Sequence, residues 1–162
     1  MIGNLILFLD RWFGRHQRVV QERSKIVLFS EKMVETKNGK RILILRFSGF
    51  YAIGSSGSTG AKFIVGAAEK AFEKQRVDGV ILDFQKLDYQ WGDNLEEITN
   101  WNRGLFRDTE KPLVVLVGDK SKESFYTLYN GIYSGNRDKT DGWVFENEDD
   151  GLLAIIEKVE LS

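Results

Sequence analysis

Val77-Asp78-Gly79-Val80-Ile81-Leu82-Asp83-Phe84 places three apolar residues in succession and then turns polar. A strand covered on both faces has this pattern, because neither face can carry polar groups. Pro112-Leu113-Val114-Val115-Leu116-Val117 repeats it about thirty residues later. Between the two runs Asp93 and Glu96 stand at the capping-box spacing, with aspartate in place of serine or threonine, and Leu95, Ile98, Asn102 and Leu105 continue a helical face. A buried strand, a helix and a second buried strand make one unit of an α/β fold, and the neighbouring segments extend the pattern.

Before the first run, Gly54-Ser55-Ser56-Gly57-Ser58-Thr59-Gly60 is a loop by composition, and Ser58 or Thr59 can cap the helix after it. That helix carries Ile64, Ala67, Ala68, Ala71 and Phe72 on one side and ends near Arg76. Earlier still, the extended runs Ile26–Phe29 and Ile42–Phe47 flank Asn38-Gly39, a hairpin signal because both turn residues tolerate positive φ. After the second run a helix starts at Ser121, with Phe125, Leu128, Tyr129 and Ile132 spaced for packing. Trp143-Val144-Phe145 then makes a short strand. The closing helix turns Leu152, Ile155, Ile156 and Val159 inward, and Glu148, Asp149 and Asp150 favour its N-terminal dipole.

After the hairpin, strands and helices alternate, which favours parallel strands in one sheet joined by right-handed crossovers. The expected fold class is therefore α/β, a single domain over residues 25–162 with a mostly parallel mixed sheet. A chain of 162 residues has room for one core and a short appendage. Residues 1–24 are that appendage, an amphipathic basic N-terminal helix with Leu5, Leu9, Trp12 and Phe13 on a broad apolar face and an end near Gly14. Up to residue 25, five basic side chains (Arg11, Arg15, Arg18, Arg23 and Lys25) face two acidic ones (Asp10 and Glu22). Three readings of this helix stand: it packs on its own domain, pairs with another copy of the chain, or lies in a membrane interface with Arg11 and Arg15 near lipid headgroups.

Several function classes are excluded by counting. The chain has no cysteine, which removes disulfides and thiolate chemistry, and its one histidine, His16, lies in the appendage. A formal net charge of -1 gives no reason to expect nucleic acid. Leu5–Leu9, the longest apolar run, is far short of the roughly 20 residues of a membrane-spanning helix, and no secretory signal is evident. The expected location is cytoplasmic, peripheral to the inner membrane face if the first helix meets lipid.

From Lys25 to Lys158 the order of elements resembles the STAS domain, the fold of bacterial anti-sigma-factor antagonists and of the cytoplasmic tails of sulfate transporters. The residues that carry the resemblance are Ile42-Leu43-Ile44-Leu45-Arg46-Phe47-Ser48-Gly49, Val80-Ile81-Leu82-Asp83-Phe84, Leu113–Gly118 and Val144-Phe145-Glu146-Asn147-Glu148. It implies a regulatory module that binds a protein partner and needs no cofactor or metal. The family's phosphorylatable serine turn falls on Trp91-Gly92-Asp93-Asn94, where no side chain has a hydroxyl, so a kinase-operated switch of the usual kind is not expected.

The resemblance and the loop position together nominate Tyr89, Trp91, Gly92, Asp93 and Asn94 as the partner-binding residues, since a loop aromatic is a frequent anchor. The alternative is that Trp91 folds back over the next helix. Ser55, Ser56, Gly57, Ser58 and Thr59 form an anion or small-ligand candidate, weighed against a plain connection. Read as a phosphate-binding loop it fails in detail, because Ala61 separates Gly60 from Lys62 and Phe63 stands where a magnesium-binding hydroxyl belongs. Asp83, Asp88 and Asp93 are expected in local roles, as a turn former, a solvated carboxylate and a helix cap. No catalytic residue is assigned. An enzyme alternative, a degenerate crotonase or Clp-protease relative or an acyl-ligand-binding protein, rests on Trp91–Leu95 and Lys111–Val115, with Ser121 or Ser124 beside Lys122 as a nucleophile pair.

Overall fold

A computed structural model describes residues 17–21, 25–90, 111–130 and 140–162, with side chains from residue 27 onward. The expected helix of the first residues, with Leu5, Leu9, Trp12 and Phe13, lies outside them. Among the described residues the elements run β1 (Gln17–Gln21), β2 (Lys25–Glu35), β3 (Arg41–Phe50), α1 (Gly57–Glu73), β4 (Gly79–Asp88), β5 (Leu113–Val117), α2 (Lys122–Asn130), β6 (Val144–Phe145) and α3 (Glu148–Glu160). The strands form one sheet in the order β1-β2-β3-β4-β5-β6. β2 pairs antiparallel with both β1 and β3, and β3 to β6 run parallel. The α/β class and the mixed sheet are therefore as the alternation of runs implies.

Two differences from the sequence reading have clear causes. Gln17–Gln21 falls within the segment assigned to the appended helix, yet it pairs with Lys25–Phe29 as the first strand. Its five residues, QRVVQ, are too few to show a period, so only the neighbouring strand reveals their conformation. The second difference is in β4, which does not end at Phe84 but continues to Asp88. Arg46 lies opposite Asp83 while Ser48 lies opposite Lys86, so β4 holds one extra residue over this interval and forms a bulge at Phe84–Gln85. The bulge resets the strand's alternation. Phe84 and Leu87, an odd number of residues apart, therefore both reach the same core, and a regular strand would have turned Leu87 to the other face.

The sheet has a core on each side. On one, Leu43, Leu45, Phe47, Val80, Leu82, Phe84, Val115 and Val117 pack under α1 and α2. On the other, Ile42, Ile44, Ile81, Val114 and Leu116 meet Ile155 and Val159 of α3. Strands covered twice must be apolar at every position, and this is why Ile42–Leu45, Val80–Leu82 and Val114–Val117 are unbroken apolar runs. α1 approaches closely because Gly57, Gly60, Ala61, Ala67, Ala68 and Ala71 face inward, and a β-carbon at Gly60 would stand 3.2 Å from the Tyr51 ring.

The N-terminal ends of α3 and α1 contrast. Asn147 caps α3 by accepting from the Asp149 N–H at 2.7 Å, and three acidic residues complete its first turn. α1 begins at Gly57, ahead of Ser58 and Thr59, and Ser56 at its cap position is already helical and makes no side-chain cap. The turn closes early because Gly54, at φ 63, brings the chain round so that the Gly57 N–H donates to the Gly54 carbonyl at 2.9 Å. At the far end of the sheet Gly39, at φ 76, makes the expected β2–β3 turn. Glu160 of α3 clasps that turn, accepting from the Thr36 hydroxyl at 2.8 Å and from the Asn38 amide.

Candidate functional site

The carboxyl ends of parallel strands are where open α/β sheets form crevices. Here the ends of β4 and β5 border a cleft of about 420 Å³ lined by Asp88, Tyr89, Gln90, Asp119, Lys120, Glu123 and Ser124. Its walls are joined by backbone and side chain: the Tyr89 N–H donates to the Lys120 carbonyl at 3.1 Å, and the Ser124 hydroxyl donates to the Gln90 carbonyl at 2.5 Å. Half-buried Asp88 pairs with the exposed Lys120 at 3.7 Å. Trp91 follows Gln90 directly in the chain. Trp91, Gly92, Asp93 and Asn94 themselves lie outside the described residues.

Tyr89 corrects the expectation of a loop aromatic offered to a partner. It is only 2% exposed and stacks edge-on against Tyr51 with ring centroids 5.3 Å apart. The bulge explains it, since the reset alternation keeps Leu87 and Tyr89 on the core side. The glycine-serine loop meets α1 at the carboxyl end of β3. Ser55, Ser56 and Thr59 are exposed, Ser58 is half-buried and Gly57 is buried. The Ser58 N–H donates to the Ser55 carbonyl at 3.2 Å, which makes the loop part of the first helical turn.

Ser121 and Lys122, considered together with Ser124 as a nucleophile pair, each have partners within the fold. Ser121 is buried, accepts from the Gly118 N–H at 3.0 Å and donates to the Phe84 carbonyl at 3.1 Å. Its hydroxyl thus braces the bulge. Attraction from Glu146 and then Asp119, each 3.5 Å away, raises the Lys122 ammonium above its ordinary pKa. A lysine acting as a base needs the opposite shift.

A second constellation lies at the bulge itself. Asp83, buried, accepts from the Gln85 N–H at 3.0 Å with one oxygen and from Arg46 Nε at 3.1 Å with the other. Arg46 Nη2 also donates to Glu148 of α3 at 2.5 Å. Burial raises the Asp83 pKa, and the hydrogen bonds from Gln85 and Arg46 oppose it less strongly. The expected turn-forming role of Asp83 is present in its bond to Gln85. Its pairing with Arg46, 37 positions earlier, was not legible in the sequence, although both residues stand at the polar ends of apolar runs. Asp88 is half-buried and paired with Lys120, so it is not the freely solvated carboxylate expected.

Among the described residues no group of three or more histidine, cysteine or carboxylate side chains is placed to hold a metal. No helix among them is long and apolar enough to cross a membrane. The chain matches no family model and no curated protein.

Proposed function

We propose that this chain is a STAS-like regulatory module that binds a protein partner through the segment beginning at Trp91, next to the cleft at the ends of β4 and β5. The observation that carries this reading is the run of four parallel strands in sequential order, β3 to β6, with α1 between β3 and β4, α2 between β5 and β6, and a crevice at the carboxyl ends of β4 and β5. That arrangement supplies a rigid platform from which a loop can be presented. The first residues, with Leu5, Leu9, Trp12 and Phe13, add a second attachment, to another copy of the chain or to lipid, in a cytoplasmic protein held near the membrane. An acyl-transfer enzyme has less support, because the Ser121 hydroxyl is committed to the Phe84 carbonyl and Lys122 is paired with Asp119 and Glu146.

The test begins with capture of partners by the full chain and identification of the protein retained. Trp91→Ala should then weaken the purified complex by about 2 kcal/mol, roughly thirtyfold, as expected for an aromatic anchor. Its thermal midpoint should stay within a degree or two of the parent. Equal losses of stability and binding would make Trp91 a core residue, and steady turnover of ester, thioester or nucleotide substrates would overturn the module reading.

A further inference from the structure

A second cleft, of about 400 Å³, opens on the α3 side of the sheet where that helix stops covering the strands. Strand register builds its floor in two rows. Ser30, Arg46 and Asp83 are direct neighbours across β2, β3 and β4, and Leu28, Ser48 and Lys86 form the next row beyond the bulge. Directly paired residues project from the same face of a sheet, so six side chains from three strands converge. Gln85, Glu148, Phe29 and Phe47 also line the cleft. Bulges re-aim side chains and are frequent beside binding sites.

We infer that this cleft binds a small, uncharged, hydroxyl-rich molecule of the sugar or cyclic-polyol class. Its formal charges cancel, with Arg46 and Lys86 against Asp83 and Glu148. An anion would meet the two carboxylates, and a cation would meet the guanidinium and the ammonium. A hydroxyl group both donates and accepts, and the lining offers both functions: serine hydroxyls, a lysine and a guanidinium as donors, and Gln85 and Glu148 oxygens as acceptors. Arg46 is held between Asp83 Oδ2 and Glu148 Oε1, on two different elements, so its plane is set before a ligand arrives. Leu28, 39% exposed, gives the apolar wall against which a ring's carbon face can rest. This inference is independent of the partner-binding reading, which concerns the ends of β4 and β5.

Titration of the full ¹⁵N-labelled chain with myo-inositol and, separately, glucose tests it. Saturable shifts are expected at the amides of Ser30, Ser48, Gln85 and Lys86, with a dissociation constant of about 1 mM or tighter for one of the two. Ser48→Ala and Lys86→Ala alter partly or fully exposed positions and should each weaken binding by about three- to tenfold, the loss of one hydrogen bond, with unchanged thermal midpoints. Non-saturating shifts with both polyols would overturn the inference, as would parental affinity in both variants. A stronger response of the same amides to inorganic phosphate or glycine would also overturn it, because the site would then select charge.

Discussion

Gly118→Ala is expected to lower the unfolding free energy by about 3 kcal/mol, near the upper range for forced overpacking. A β-carbon at Gly118 would stand 2.2 Å from the Gln85 carbonyl oxygen and 2.9 Å from its carbonyl carbon. Those atoms belong to the backbone of the β4 bulge and cannot rotate away as a side chain could. Relief would require the β5–α2 turn to leave the bulge, which would break the Ser121 bond to the Phe84 carbonyl. Gly66→Ala is the matching control: Gly66 lies inside α1, and an added β-carbon would meet nothing within 4 Å. Alanine there should stabilise by about 0.5–1 kcal/mol through helix propensity. Urea denaturation of both variants reads the contrast, and a Gly118→Ala protein as stable as the parent would show that the bulge is not braced as described.

Removal of the Asp83 carboxylate should cost about 2–3 kcal/mol at neutral pH. Asp83→Ala takes a buried acceptor from the Gln85 N–H and leaves Arg46 with Glu148 alone. The figure stays below that of a fully buried broken pair because Arg46 keeps about a third of its side-chain exposure. The pH dependence has a definite sign. Burial, the largest influence, raises the folded-state pKa of Asp83, so the folded protein holds this proton more tightly than the unfolded chain does. The extra stability that comes from the raised pKa is therefore fully present below the unfolded pKa and is lost as pH rises through the raised folded value, leaving the hydrogen bonds of the carboxylate. Measured against Asp83→Asn, the parent should be relatively more stable in mild acid than at neutral pH. A difference that grows toward neutral pH would mean that attraction to Arg46 outweighs burial.

The sequence by itself determined the α/β class, the β2–β3 hairpin, the parallel strands from β3 onward and the apolar face of each described helix. These are local matters: Val80–Leu82 and Val114–Val117 read as strands covered on both sides, Ile42–Phe47 reads as an extended run, and Asn38-Gly39 can turn where few other pairs can. The tertiary structure decided the bulge, the burial of Tyr89, the strand at Gln17–Gln21 and the Arg46–Asp83–Glu148 linkage. Each of these depends on which residues from distant parts of the chain come to face one another. Arg46 and Glu148 are 102 positions apart, and nothing in the residues around either one encodes the other. Gln85 shows the difference most directly. Read locally it ends an apolar run, but in the sheet its backbone sits against Gly118 and its N–H is satisfied by Asp83, so β4 continues for three more residues with its alternation reset. Period and propensity act over one or two turns of chain, whereas the register of one strand against the next is set by packing between them.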